Sequence, residues 1–193
     1  MKKTAILVLD FINDIVHEEG KIASYVDRLV EHKVIENANR VIQWGRQNEL
    51  PILHVKVGFS QNYIECPESS PLFSNAKKYQ ALQLGAWGTE FHEAMDVQSQ
   101  DKIIIKHRVS AFYATDLETV LRAQGVEHLV MCGVATNMAV ETAAREAHDR
   151  DYQVTVIKDA CETANDELQQ GSLMSLERIA TVISSNECAK ICS

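Results

Sequence analysis

The sequence predicts a three-layer α/β/α sandwich built on a six-stranded, mainly parallel, Rossmann-like sheet. Two observations predict it. Six short runs rich in Ile and Val recur at residues 4–10, 51–57, 102–107, 127–134, 153–160 and 180–185. Their length and composition are those of strands buried on both faces, which parallel sheets require. Between them lie segments with helical periodicity, as crossovers between parallel strands demand.

Taken in order, the first run, T-A-I-L-V-L-D, follows the basic start Met1-Lys2-Lys3. Asp10 interrupts its apolar stretch too early for a leader peptide, so it reads as a strand. Val34, Ala38, Val41, Ile42 and Gly45 then fall on one helical stripe. After the second strand comes a long segment, 58–88, without a firm pattern. It holds Pro67, Pro71, Tyr63, Phe73, Tyr79 and Trp87, and reads as a lid or subunit contact with a short helix over 75–84. Past the third strand, Thr115 and Glu118 have capping-box spacing before Leu117, Val120 and Leu121. The fourth strand enters the turn 133–137 and a helix with a small-residue stripe of Val140, Ala143, Ala144 and Ala147. A last helix is expected over 166–179, and the tail with Cys188 and Cys192 reads as frayed. No repeat or linker interrupts this pattern, so one domain is expected over residues 1–193.

The bulk numbers exclude several classes of function. The chain has 193 residues, 46% of them hydrophobic and 24% charged, with a net charge of −8. An acidic chain without a Lys/Arg run argues against nucleic acid and anionic membranes as partners. No apolar stretch reaches the ~20 residues that span a bilayer. The 5 cysteines are scattered, with no C-x-x-C pair. That argues against a disulfide framework or a zinc site and fits a reducing cytoplasm.

In open parallel sheets, ligands bind beyond the carboxyl ends of the strands. This rule selects Asp10, Lys106, His107, Asp159 and the turn Gly133–Asn137. Asp10 alone is equally a turn cap for Asn13 or Asp14, and Lys106 alone is equally a snorkelling lysine. Together, a carboxylate and an ammonium at strand ends face one crevice. The lysine then sets the proton affinity of a candidate general acid or base. The turn after the fourth strand leads into a helix N-terminus, whose amides suit a developing oxyanion. Cys132, inside a strand, reads as core. Cys161 is at the correct sheet edge but has no helix N-terminus to activate it.

Four segments together resemble the isochorismatase-like hydrolase superfamily, also called the cysteine hydrolases. They are A-I-L-V-L-D-F-I-N-D at 5–14, K-H-R-V-S-A-F-Y-A-T-D-L at 106–117, C-G-V-A-T-N-M-A-V-E-T-A-A-R-E-A at 132–147, and V-I-K-D-A-C at 156–161. The resemblance spans essentially the whole chain. It implies a six-stranded, mainly parallel sheet in a cytoplasmic homodimer or homotetramer that acts on a small-molecule substrate. Members that cleave C–N bonds use an aspartate, a lysine and a cysteine, which match Asp10, Lys106 and Ala139. The oxyanion amides match Ala135 and Ala139, with Thr136 and Asn137 between them, and a cis peptide is implied at Val134–Ala135.

Ala139 is the departure. A methyl group cannot attack a carbonyl, so thioester chemistry is excluded. One explanation is natural absence. True isochorismatases resemble this family, lack the cysteine, and hydrolyse a vinyl ether with the aspartate as general acid. Their turn carries Tyr-Ala-His, whereas Ala135-Thr136-Asn137 resembles amidase-like and uncharacterised branches. The other explanation is an amide or ureide hydrolase whose cysteine has been exchanged for alanine. A third reading is a catalytically inactive binding homologue. Nicotinamidase-type relatives bind zinc through Asp-x-His after the second strand. Residues 57–63 lack those ligands, so neither metal nor cofactor is expected. Phe11, Phe59, Tyr63, Trp87 and Phe112 are candidates for the apolar wall of the pocket.

Overall fold

The computed structural model describes residues 3–191. The order along the chain is β1 (Thr4–Leu9), α1 (Asn13–Val16), α2 (Val26–Glu31), α3 (Val34–Gln47), β2 (Ile52–Val57), α4 (Ala76–Tyr79), β3 (Lys102–Lys106), α5 (Leu117–Ala123), β4 (His128–Val134), α6 (Glu141–Asp149), β5 (Gln153–Glu162), α7 (Asp166–Leu176) and β6 (Thr181–Ile183). The strands form one sheet in the order β3-β2-β1-β4-β5-β6, and every pairing is parallel. Helix α3 packs on β1, β2 and β5, while α6 and α7 pack on each other and on β5. No helix among the described residues is long and apolar enough to cross a membrane.

The order of the sheet reverses between β1 and β4. These two strands are buried along their whole length, and Leu9 pairs with Gly133 at their carboxyl ends. A crevice opens at such a switch point because successive connections leave it on opposite faces of the sheet.

Burial on both faces holds for the central strands and fails at the edges. β3 is an edge strand, with Ile105 43% exposed, and β6 is short and only partly buried. An edge strand has a neighbour on one side only, so its flank stays open. β5 runs past residue 160 to Glu162, across a register shift opposite Met131 and Gly133. The capping box expected at Thr115 forms differently. The Thr115 hydroxyl accepts from the Leu117 amide and donates to the Ala111 carbonyl. Glu118 is drawn instead to Arg122 and Arg150.

The tail is not frayed where it is described. Residues Ser185–Ile191 form a 3-10 helix that buries Cys188 in the main core. The reason is Asp159. Its carboxylate accepts from the amide (2.7 Å) and the hydroxyl (2.9 Å) of Ser185, while Asn37 of α3 donates to its carbonyl at 2.8 Å. Asp159 therefore ties the tail to α3 and does not face the crevice. A pairing of Cys188 with Cys192 falls on a residue outside those described.

Gly133 shows how closely β1 and β4 approach. Its φ is +149°, and a Cβ there would lie 2.4 Å from the Leu9 carbonyl oxygen. Gly133→Ala should therefore destabilise the fold by roughly 2–4 kcal/mol through strain and overpacking. A drop in the urea midpoint without a change in slope is the expected result.

Candidate active site

Asp10 follows β1 in the left-handed region, at φ +60°, a conformation that Asp tolerates better than most residues. Its amide still bonds the Val55 carbonyl at 2.9 Å, so the residue is held in line with the sheet while the chain turns away. The carboxylate accepts from the Val57 amide at 2.9 Å and from Lys106 Nζ at 2.6 Å. It therefore does not cap Asn13 or Asp14. Lys106 comes from β3, two strands away, and its side chain reaches past the end of β2. Its Nζ also donates to the Val109 carbonyl at 2.8 Å. Asp10 is 3% exposed and Lys106 1%, so this lysine does not snorkel.

Burial pushes the Asp10 carboxyl above the usual carboxylate range. The charge and hydrogen bond of Lys106 and the Val57 amide oppose that rise without cancelling it. The group is thus able to hold a proton at a higher pH than an exposed aspartate.

Beyond β4, the Val134–Ala135 peptide is cis. Residues Thr136–Val140 form a π-turn that runs into α6, and the Met138 and Val140 amides bond the Ala135 carbonyl at 3.1 and 3.3 Å. Asn137 Oδ1 accepts from the Thr163 hydroxyl at 2.7 Å, which fastens the turn to the end of β5. Thr136 is buried, and its hydroxyl finds no partner among the described residues.

Asp10, Lys106, Ala135 and Ala139 line one cavity of about 220 Å³. Its other walls come from Ile15, Ile22, Ser24 and Tyr25 on one side, and from Leu72, Phe73 and Leu82 on the other. Val57, Arg108, Val109, Val134 and Met138 complete it. Burial, then the charges of Asp10 and Glu162, raise the Tyr25 phenol above its ordinary value, so it remains a hydroxyl able to donate.

The proposed aromatic wall lies elsewhere. Phe11 is in the main core beneath the sheet ends. Phe112 packs 6.2 Å from the Tyr152 ring, with the Arg150 guanidinium 4.8 Å above it. Phe59 and Tyr63 belong to a second core under the 58–88 segment, where the Tyr63 hydroxyl donates to the Ala81 carbonyl at 2.9 Å. Trp87 is 43% exposed and meets His17 edge-on. His107 is also structural, bonding the Gly58 carbonyl and stacking on Phe59. Tyr25, Phe73 and Arg108 line the cavity in their place. Arg108 carried a readable signal, since it lies just past Lys106 at the carboxyl end of β3, the edge where ligands bind in open parallel sheets. Tyr25 and Phe73 carried none, because their segments have no periodicity.

Neither Cys132 nor Cys161 is poised as a nucleophile. Burial pushes the Cys161 thiol up to about 12 and raises Cys132 as well, so both stay protonated. A zinc ion does not fit the cavity either. Asp10 is its only acidic side chain, and that carboxylate is already engaged by a lysine and an amide.

The Asp10–Lys106 pair makes a pH-dependent prediction. Without Lys106, Asp10 rises further, so the folded state binds a proton that the unfolded chain releases near pH ~4. Stability then falls as pH rises through the interval between the unfolded and folded values. Lys106→Met should be close to the parent at low pH and ~3–5 kcal/mol less stable at neutral pH. Urea unfolding across a pH series reads this, and a deficit independent of pH would contradict it.

Comparison with known proteins agrees with this arrangement. The family profile described as Isochorismatase domain matches residues 4–187. The uncharacterized isochorismatase family protein YecD of Escherichia coli O157:H7 is 32% identical over 190 residues, covering 96% of this chain and 94% of that protein. The ureidoacrylate amidohydrolase RutB of Caulobacter segnis is 30% identical over 190 residues, covering 91% and 80%. Among solved structures, N-carbamoylsarcosine amidase from Thermoplasma acidophilum superposes with a TM-score of 0.77 at 25% identity, covering 96% of this chain and 98% of that one. A cysteine hydrolase from Pseudomonas syringae pv. phaseolicola 1448A reaches 0.88 at 23% identity, covering 97% and 91%, a likeness of fold. The chain belongs to the isochorismatase family of hydrolases.

Proposed function

We propose that this hydrolase acts on a small vinyl-ether metabolite of the isochorismate type, with Asp10 as its general acid and base and no protein nucleophile. The observation that supports the reading is a buried carboxyl, raised above its usual range, in a cavity lined by Ala139 and by no nucleophilic thiol. Asp10 gives its proton to the terminal carbon of the enol ether, leaving an oxocarbenium centre. Water adds to that centre and returns a proton to the Asp10 carboxylate. The resulting hemiketal breaks into a ketone and an alcohol, so one water is consumed and the acid is regenerated. Lys106 stabilises the carboxylate formed in the first step. The amides of Ala135 and Ala139 hold an oxygen of the substrate.

A simple test substrate is 2-methoxyacrylate, which yields pyruvate and methanol. Asp10→Asn should lower kcat/KM by about 10²–10⁴, the usual contribution of general acid–base catalysis. Turnover should fall as pH rises through the elevated Asp10 value, because the acid form is the active one. Unchanged turnover in Asp10→Asn would sink the mechanism.

A second reading is favoured by the likeness to ureidoacrylate amidohydrolases. On that reading the chain is an amide or ureide hydrolase whose cysteine has been exchanged for alanine. Ala139→Cys should then release ammonia or carbamate from a panel of small amides and ureides, and a silent panel counts against it. Ligand binding with no turnover of any such compound is the signature of an inactive homologue.

A further inference from the structure

Arg108 is the charged residue of the cavity that the acid–base chemistry leaves unused. Its Nη1 donates to the backbone carbonyls of Glu65 at 2.9 Å and His107 at 2.6 Å. Those bonds fix the guanidinium between the exit of β3 and the segment that carries Leu72 and Phe73. Its Nε and Nη2 find no acceptor among the described residues. No carboxylate pairs with it there either, in contrast to Arg28, Arg46, Arg122, Arg145 and Arg150.

The charge balance of the cavity makes this informative. Asp10 cancels Lys106 when it is ionised, and no other acid lines the space, so Arg108 has no counter-charge whichever form Asp10 takes. The remaining walls are mostly apolar, so Arg108 leaves one uncompensated positive charge in a partly desolvated site. A guanidinium with two free donor nitrogens matches a planar carboxylate. The volume of about 220 Å³ is below the roughly 300–1,000 Å³ of ordinary ligand pockets, which restricts the occupant to a small molecule.

We propose that Arg108 is the anchor for a carboxylate on the substrate, which makes the substrate class a small carboxylate. The inference deepens the proposed function, since it rests on this cavity being the substrate site. It does not depend on the acid–base step.

Methacrylate and methacrylamide separate the two. They share size and shape, differ in charge, and carry no ether to cleave. Binding of each to the intact protein is measured by calorimetry. Methacrylate should bind roughly 10- to 100-fold more tightly, the usual range for a charge-assisted hydrogen bond. Arg108→Gln should abolish the preference without changing methacrylamide affinity, and Arg108→Lys should restore part of it. With 2-methoxyacrylate, Arg108→Gln should raise KM more than it lowers kcat. Because Arg108 also supports a loop, each variant is checked by thermal unfolding, and the comparison of ligands on the parent protein needs no variant. A parent that does not prefer methacrylate, or a preference that survives Arg108→Gln, overturns the proposal. A preference for methacrylate without turnover of 2-methoxyacrylate sustains Arg108 and removes the vinyl-ether reading instead.

Discussion

The structure is organised around one buried ion pair, Asp10 with Lys106 at 2.6 Å, both nearly inaccessible to water. Such a pair is a weak stabiliser, because taking two charges out of water offsets most of their mutual attraction. Its position explains its presence better than its energy does. The sheet order β3-β2-β1 leaves one strand between the two partners, and only a lysine-length side chain crosses that gap. The left-handed turn at Asp10 keeps the carboxylate in place while the chain departs. The Val57 amide fills the remaining acceptor demand. Three strand ends thus converge on one carboxyl group, and the rest of the cavity is assembled around it.

A second buried carboxylate holds the walls. Asp14 accepts from the Leu82 amide at 2.6 Å and from the Lys21 amide at 3.2 Å. Lys21 in turn donates to the Gln80 carbonyl at 2.7 Å. These bonds join the segment bearing Ile22 and Tyr25 to the segment bearing Phe73 and Leu82. Gly88 passes so close that a Cβ would fall 2.2 Å from the Asp14 carboxylate. Two largely irregular stretches are thereby fixed by side chain–backbone bonds, which satisfy amides that regular structure leaves open.

This division explains what could be read from the sequence. The strands were legible because burial on both faces leaves a dense run of Ile and Val. Asp10 and Lys106 were legible because a charged residue ending such a run has few bland explanations when two occur together. The walls were not legible. An aromatic residue is more often core than pocket wall, and Phe11, Phe112 and Tyr63 are buried in two cores away from the crevice. Phe73 and Tyr25 lie on segments tied down by the bonds of Leu82 and Lys21 to Asp14 and of Arg108 to Glu65, which leave no periodic trace. Asp159 misled for a related reason. It ends an apolar run, yet β5 continues to Glu162, and the Asp159 carboxylate is taken by Ser185 of the tail.

Ala139 then has a clear physical meaning. In the thiol branch of the family, three parts act together: an acid–base pair, an oxyanion turn and a nucleophile. On the reading we propose, Asp10 with Lys106 and the turn after β4 stand for the first two, Ala139 stands at the position of the third, and the pair does not depend on it. Asp10 takes its hydrogen bonds from β2 and β3, and the turn takes its fixation from Thr163 on the far side. The support of both parts thus comes from residues other than Ala139, and a thiol at that position would add none. With alanine there, the carboxyl has no neighbouring nucleophile toward which to act as a base. A buried carboxyl raised above its usual range keeps its proton over a wider pH range than an exposed aspartate, and so is available to donate it. The mechanism we propose accordingly begins with a proton placed on the substrate and ends with water as the only nucleophile.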